Sequence, residues 1–285
     1  MDRKTLIFIL LIFLNFCKED KLKKAERFLK EGKIEEAEYL VLDYLKKNEK
    51  DSRALLLLAD IYFTNGEYYK SLQILKKIPE KEIYKEKILE NAKYIFEKTK
   101  YSAKEIAVES AEIILLLSPD YYEKEFYSYL GKIYLEKGKT SEAEKIFKKI
   151  WEKEKDYNSF LNLLNLLYEK GEYLEIVNLE EGIPEKYLRN ERINFIIGNS
   201  LFEISKIYYT EEKIDSALIF IDKFLKIKTP PLKVAEAYYI KGEILLSKGD
   251  TISAIENFYN VIKENPAKET GLLKKVKERL KELKK

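Results

Sequence analysis

Cys17 is the only cysteine in this 285-residue chain, and its surroundings decide which chemistry its thiol serves. Histidine is absent, so no imidazole can draw off the thiol proton and no Cys–His nucleophile can be assembled. One cysteine and no histidine also remove most metal constellations, and no disulfide can form within one chain. The other candidates for chemistry are carboxylates, in runs such as "EEAE" from Glu35, "EKEKD" from Glu152 and the Glu211–Glu212 pair. Acid–base work needs two carboxylates held in a cleft with pKa values pushed apart. Here they alternate with lysines at helical spacing, the pattern of solvated ion pairs. The glycines come singly, with no GxxxxGK[ST] or GxGxxG run to cradle a phosphate. No catalytic residue, cofactor, metal or small-molecule substrate is expected, and the chain reads as a non-enzyme.

What Cys17 carries depends on what precedes it. Arg3 and Lys4 stand before nine unbroken apolar residues, Leu6 to Leu14, the charged and greasy regions of an export signal. The run is short for a bilayer-spanning helix, which wants about 20 apolar residues. After Cys17 the chain turns at once to Lys18, Glu19, Asp20 and Lys21. The stretch Leu14-Asn15-Phe16-Cys17 resembles a lipobox, the bacterial lipoprotein signal, with Leu14 and Cys17 matching and Phe16 standing where a small residue is usual. That resemblance implies a signal peptide over 1–16, cleavage before Cys17 and acylation of Cys17. At about 0.8 kcal/mol per buried methylene, several acyl chains hold a protein to a membrane durably. The alternatives are an uncleaved short anchor, with Arg3, Lys4 and Lys18 at the interfaces, and simple secretion.

The elements behind this terminus repeat. With 36% charged and 46% hydrophobic residues the chain can bury a sizeable core. Its 53 Lys+Arg against 50 Asp+Glu leave +3, which gives no net reason to seek nucleic acid. The stretches "EGKIEEAE", "NGEYYKSL", "KGKTSEAE" and "KGDTISAI" each place a glycine five residues before Ala or Ser. Gly32 and Gly66 are 34 residues apart, Gly138 and Gly171 are 33 apart, and Gly66 to Gly138 is 72, two units of 36. A period of this size means stacked helix pairs, each a helix, a tight turn at the glycine and a second helix.

The fullest copy, "YSYLGKIYLEKGKTSEAEKIFKKI" from Tyr127, resembles the tetratricopeptide repeat (TPR). It carries Tyr127, Leu130, Gly131, Tyr134, Gly138, Ala143 and Phe147 in that repeat's order. A second copy carries Tyr238, Gly242, Leu245, Gly249, Ala254, Phe258 and Pro266. Degenerate copies keep register through Gly32 and Ala37, through Ala59, Gly66 and Ser71, through Gly171, and through Ser205 and Ala217. The third copy, between about Ile83 and Pro119, lacks the turn glycine, and the sixth has a long first helix starting near Tyr187.

The resemblance implies an all-α fold, a right-handed α-solenoid of about seven TPR-like helix pairs over 17–267. A C-terminal capping helix over 268–285 places Leu272, Leu273, Val276, Leu280 and Leu283 on one stripe. It also implies that first helices line a concave groove for an extended segment or helix of another protein. The groove positions carried over are Leu56, Phe63, Ser128, Leu135, Leu161, Tyr168, Phe202, Tyr209, Tyr239 and Leu246, nearly all apolar. Signal, cysteine and array together are similar to the TPR lipoproteins of outer-membrane barrel assembly and pilus biogenesis. The expected setting is therefore a bacterial cell envelope, membrane-anchored and facing the periplasm, with the outer membrane favoured by Lys18 after the cysteine. The expected partner is a segment of an envelope protein.

Overall fold

Apolar residues at helical spacing on both sides of each turn produce helices throughout the computed structural model, which describes residues 21–180, 182–264 and 270–283. The proposed signal, Cys17 and Pro266 lie outside the described residues. No strand occurs among the described residues, and none of their helices is long and apolar enough to cross a membrane. By internal contacts the chain divides after Glu123 into two compact units, where the sequence suggested one continuous array.

The first unit holds three helix pairs. These are α1 (21–30) with α2 (Ile34–Leu45), α3 (Ser52–Thr64) with α4 (Tyr68–Lys77), and α5 (Lys85–Thr99) with α6 (Lys104–Leu117). The second unit holds four pairs. They are α7 (Lys124–Glu136) with α8 (Thr140–Glu154), α9 (Tyr157–Lys170) with α10 (Tyr173–Glu180), α12 (Glu191–Thr210) with α13 (Ile214–Ile227), and α14 (Val234–Ser247) with α15 (Thr251–Lys263). A single turn, α11 (Glu185–Leu188), precedes α12, and α16 (Thr270–Glu282) closes the unit. Among the described residues, three pairs in one unit and four in the other, with a last helix, agree with the expected count of about seven helix pairs and a capping helix.

One correction concerns the sixth repeat. Tyr187 belongs to α11, and the long first helix starts at Glu191 because the Asn190 side chain accepts from the amides of Arg192 and Ile193. That cap satisfies two of the four amides a helix start leaves orphaned.

In every pair but α5–α6 the two helices are joined by one repeated turn. At Gly249 (φ 82°) the chain enters the left-handed region, and the next amide, that of Asp250, donates to the Leu245 carbonyl at 2.9 Å. This is the Schellman ending, which glycine adopts without side-chain cost. The sixth repeat makes the same turn with Glu212 (φ 58°), as the Lys213 amide donates to the Tyr208 carbonyl at 2.9 Å. The turn therefore survives the loss of its glycine, at a local cost of about 1 kcal/mol.

Within each pair, small residues let the helices approach. Ala37, Ala59, Ala143, Ala217 and Ala254 are fully buried. A Cβ on Gly131 would meet the Phe147 ring at 2.7 Å, and one on Gly242 would meet Phe258 at 2.6 Å, so aromatic rings fill the space these glycines leave. Trp151 of α8 stacks on Phe160 of α9, with ring centroids 4.1 Å apart, and carries the core from one pair to the next. α16 buries Val276 and Leu280 against Ala254, Phe258 and Val261, which is the capping role expected of its apolar stripe. Such side chains contribute about 1.5–3 kcal/mol each on full burial.

Candidate partner-binding faces

In the first unit the groove positions Leu56 and Phe63 stand half-buried on α3. Phe63 packs edge-on against Tyr94 of α5 at 5.1 Å and lies 6.1 Å from Tyr68, so three aromatics form one patch. Beside it, Asp60 of α3 accepts from the Asn91 amide at 2.7 Å, and the Asn91 side-chain oxygen, fully buried, has no partner. Burial pushes the Asp60 carboxyl up from its ordinary range, the Asn91 hydrogen bond and Lys87 oppose this, and Glu90 adds to it.

A raised folded-state pKa favours the protonated form. Asp60 therefore contributes stability below its unfolded pKa of about 3.9 and loses it as pH rises through the folded value. Asp60→Asn removes a desolvated charge and supplies an amide donor for the orphaned Asn91 oxygen. Its melting temperature at pH 7 is expected to exceed that of the parent, with the difference closing as pH falls toward 3. Equal melting temperatures at pH 7 would contradict this reading.

In the second unit Leu135, Leu161, Tyr168, Tyr209, Tyr239 and Leu246 are half-buried on the first helices of their pairs. Burial, with Glu243 and Tyr239 next in size, pushes the Tyr209 phenol up. Burial and then Glu243 do the same to Tyr239, opposed by Arg279. Tyr209 and Tyr239 share a cleft of about 490 Å³ with Lys206, Glu236, Leu272 and Lys275. Its rim is fixed by Lys206–Glu236 at 3.3 Å. On the same side, Arg279 grips Glu243 with two parallel bonds of 3.0 and 2.9 Å. Two tyrosines placed in the groove from sequence thus meet in one concavity.

Phe202 does not join them. It is 1% exposed, its ring centroid 5.3 Å from Phe224 of α13, and it belongs to the core between α12 and α13. The side chain points between the paired helices, where it excludes water, instead of toward the open side.

A larger cleft, about 660 Å³, was not anticipated. It is lined by Tyr173, Leu174 and Leu179 of α10 and Ile204, Ile207 and Tyr208 of α12. Its origin is the eight-residue α10, which ends at Glu180 and is short for a second helix. The sequence signal was present in "EEGIPEK", which cuts that helix off.

Glu144, Glu172 and Glu175 bring carboxylate oxygens within 4.8 Å of one another. Lysines interleave them: Lys148 binds Glu175 at 2.6 Å, and Lys170 binds both Glu144 and Glu172. These lysines and carboxylates form an ion-pair network.

Beside these turns, small-residue contacts and half-buried positions stand the matches to known proteins. Residues 28–82 and residues 235–268 each match a tetratricopeptide-repeat family model. The chain contains tetratricopeptide repeats. An uncharacterized protein of Borreliella burgdorferi is 26% identical over 140 residues, covering 44% of this chain and 40% of that protein, so the chain spans well under two thirds of this relative's length. Among solved structures, a TPR protein from Parabacteroides merdae is 19% identical, over 94% of this chain and 99% of that one, with a TM-score of 0.29. PilW, described as a type IV pilus biogenesis factor, is 16% identical over 91% and 98%, with a TM-score of 0.30. The two TPR matches frame the described array: the first begins in α1, and the second runs through α14 and α15.

Proposed function

We propose that this chain is an exported, lipid-anchored TPR scaffold that captures a segment of an envelope protein. The observation that carries the capture is the pair of half-buried tyrosines, Tyr209 and Tyr239, in one cleft between first helices. Tyrosine is enriched at binding hot spots because it offers a large apolar face and a polar tip at little entropic cost. TPR arrays bind protein segments by this face. Anchoring rests on Cys17, the sole cysteine, standing where the apolar run meets charge. The same terminus supports a second reading, an inner-membrane anchor kept by an uncleaved Leu6–Leu14 run in a protein of assembly or regulation.

One purification tests both. The chain is isolated from bacterial membranes and its intact mass measured beside a Cys17→Ala variant. A native chain beginning at Cys17 with added acyl mass, and a variant that keeps its signal or leaves the membrane, supports the lipid-anchored reading. Full length with no lipid in both overturns it and leaves the Leu6–Leu14 run as the anchor.

A further inference from the structure

The end of the second unit presents a docking face distinct from the groove. On α13, Leu218 and Asp222 are one and five residues after the packing Ala217, and both lie against the next pair. There they share a cleft with Tyr238 and Lys241 of α14 and Asn257 of α15, and Asp222 binds Lys241 at 2.7 Å. On α8 the position five residues after Ala143 is Lys148, which binds Glu175 of the next pair at 2.6 Å. The same stripe on α15, counted from Ala254, is Ile252, Ile255, Tyr259 and Ile262. Ile255 packs beside α16, but Ile252 is 84%, Tyr259 48% and Ile262 42% exposed. A stripe that mixes charge and stacks on a following pair elsewhere is here wholly apolar, and three of its four residues are open among the described residues.

The neighbouring helix α16 carries a basic edge. On α16, Arg279 and Lys275 turn toward α14 and the tyrosine cleft. At 100° per residue, Leu273, Lys277 and Lys281 lie on the side turned away from α14, with Lys274 adjoining. These four residues and Glu278 line an open cleft of about 470 Å³. Among the described residues Lys274, Lys277 and Lys281 make no ion pair. The space between the α15 stripe and this α16 edge is where the second helix of a further pair would lie.

We propose that this space binds an amphipathic helix of a partner protein, apolar on one face and acidic along the edge that meets α16. Continuity with the stacking interface used between the earlier pairs supplies the apolar half, and charge complementarity to the three lysines supplies the acidic edge.

The test titrates the fluorescently labelled full chain with a synthetic helical peptide of about 18 residues, five turns. The peptide has leucine along one face and glutamate elsewhere; a control replaces glutamate by lysine. The glutamate peptide is expected to bind and the lysine peptide to bind at least about tenfold more weakly. Tyr259→Ser is expected to weaken the glutamate peptide by about tenfold or more. Lys277→Glu with Lys281→Glu reverses the preference between the two peptides. All three sites are exposed, and circular dichroism melts confirm folding; Ile252→Ser replaces Tyr259→Ser should the latter unfold. Binding that ignores these substitutions, or that favours neither peptide, overturns the proposal. So does a wild-type dimer dissociated by Tyr259→Ser, which assigns the face to a second copy. Sedimentation with phosphatidylglycerol vesicles through these lysines, without peptide binding, assigns it to lipid and also overturns the proposal. Tyr209→Ser leaves this peptide's affinity unchanged, which separates the face from the groove.

Discussion

Gly198→Ala is expected to destabilise the second unit by about 3 kcal/mol or more, a larger effect than any other glycine-to-alanine change in the chain. A Cβ on Gly198 would stand 1.7 Å from the carbonyl oxygen of Thr229 and 2.9 Å from its carbon. Backbone cannot swing away as a side chain does, so α12 or the segment after α13 must move. Gly131→Ala and Gly242→Ala press instead on the Phe147 and Phe258 rings, at 2.7 and 2.6 Å. Those rings are buried but can tilt, so about 1–3 kcal/mol is expected there. Gly249→Ala meets nothing within 4 Å and costs only its left-handed backbone, about 1 kcal/mol. Thermal melts of the four variants rank them. A Gly198→Ala protein that melts with the parent would show that α12 does not lie against Thr229.

Tyr209→Ser combined with Tyr239→Ser is expected to weaken partner capture on the order of a hundredfold. Hot-spot residues cost about 2 kcal/mol or more on truncation, about thirtyfold each, and two sharing one cleft act less than additively. Both side chains are half-buried, and the Tyr239 ring also packs on the core, its centroid 5.9 Å from that of Phe258, so its removal costs some stability as well. Phe202→Ser is the contrasting control. It empties a buried site against Phe224 and is expected to cost about 3–5 kcal/mol, so its loss of binding would follow unfolding. Co-purification from membranes, read beside melting temperature, separates the cases. Full capture by a folded double tyrosine variant would remove these residues from the site.

The array itself was legible because its signals are local. A glycine five residues before a small residue marks a turn and a close helix crossing, and both are decided within one pair. The turns at Gly138 and Gly249 follow from that spacing, whereas Gly131, read from sequence as admitting neighbouring backbone, makes room for the Phe147 ring. Gly198 was not legible, because what it makes room for is the main chain of Thr229, 31 residues on, and nothing in the spacing reports a backbone approach. The groove was partly legible. Repeat register says which turn of a first helix a residue occupies, and this placed Tyr209 and Tyr239 together. It does not say which way a ring leans, and Phe202 leans into the core. Asp60 and Asn91 pair across two repeats, a contact between sequence positions that no single repeat encodes.

The most direct test of capture by the groove is site-specific photocrosslinking in the living bacterium, with benzoylphenylalanine at position 239, at 209 and, as a control, at the exposed Lys248 across the turn. The groove reading predicts the same partner adduct from 209 and 239 and none from 248. Adducts from 248 alone, or equal yields from all three, would contradict it.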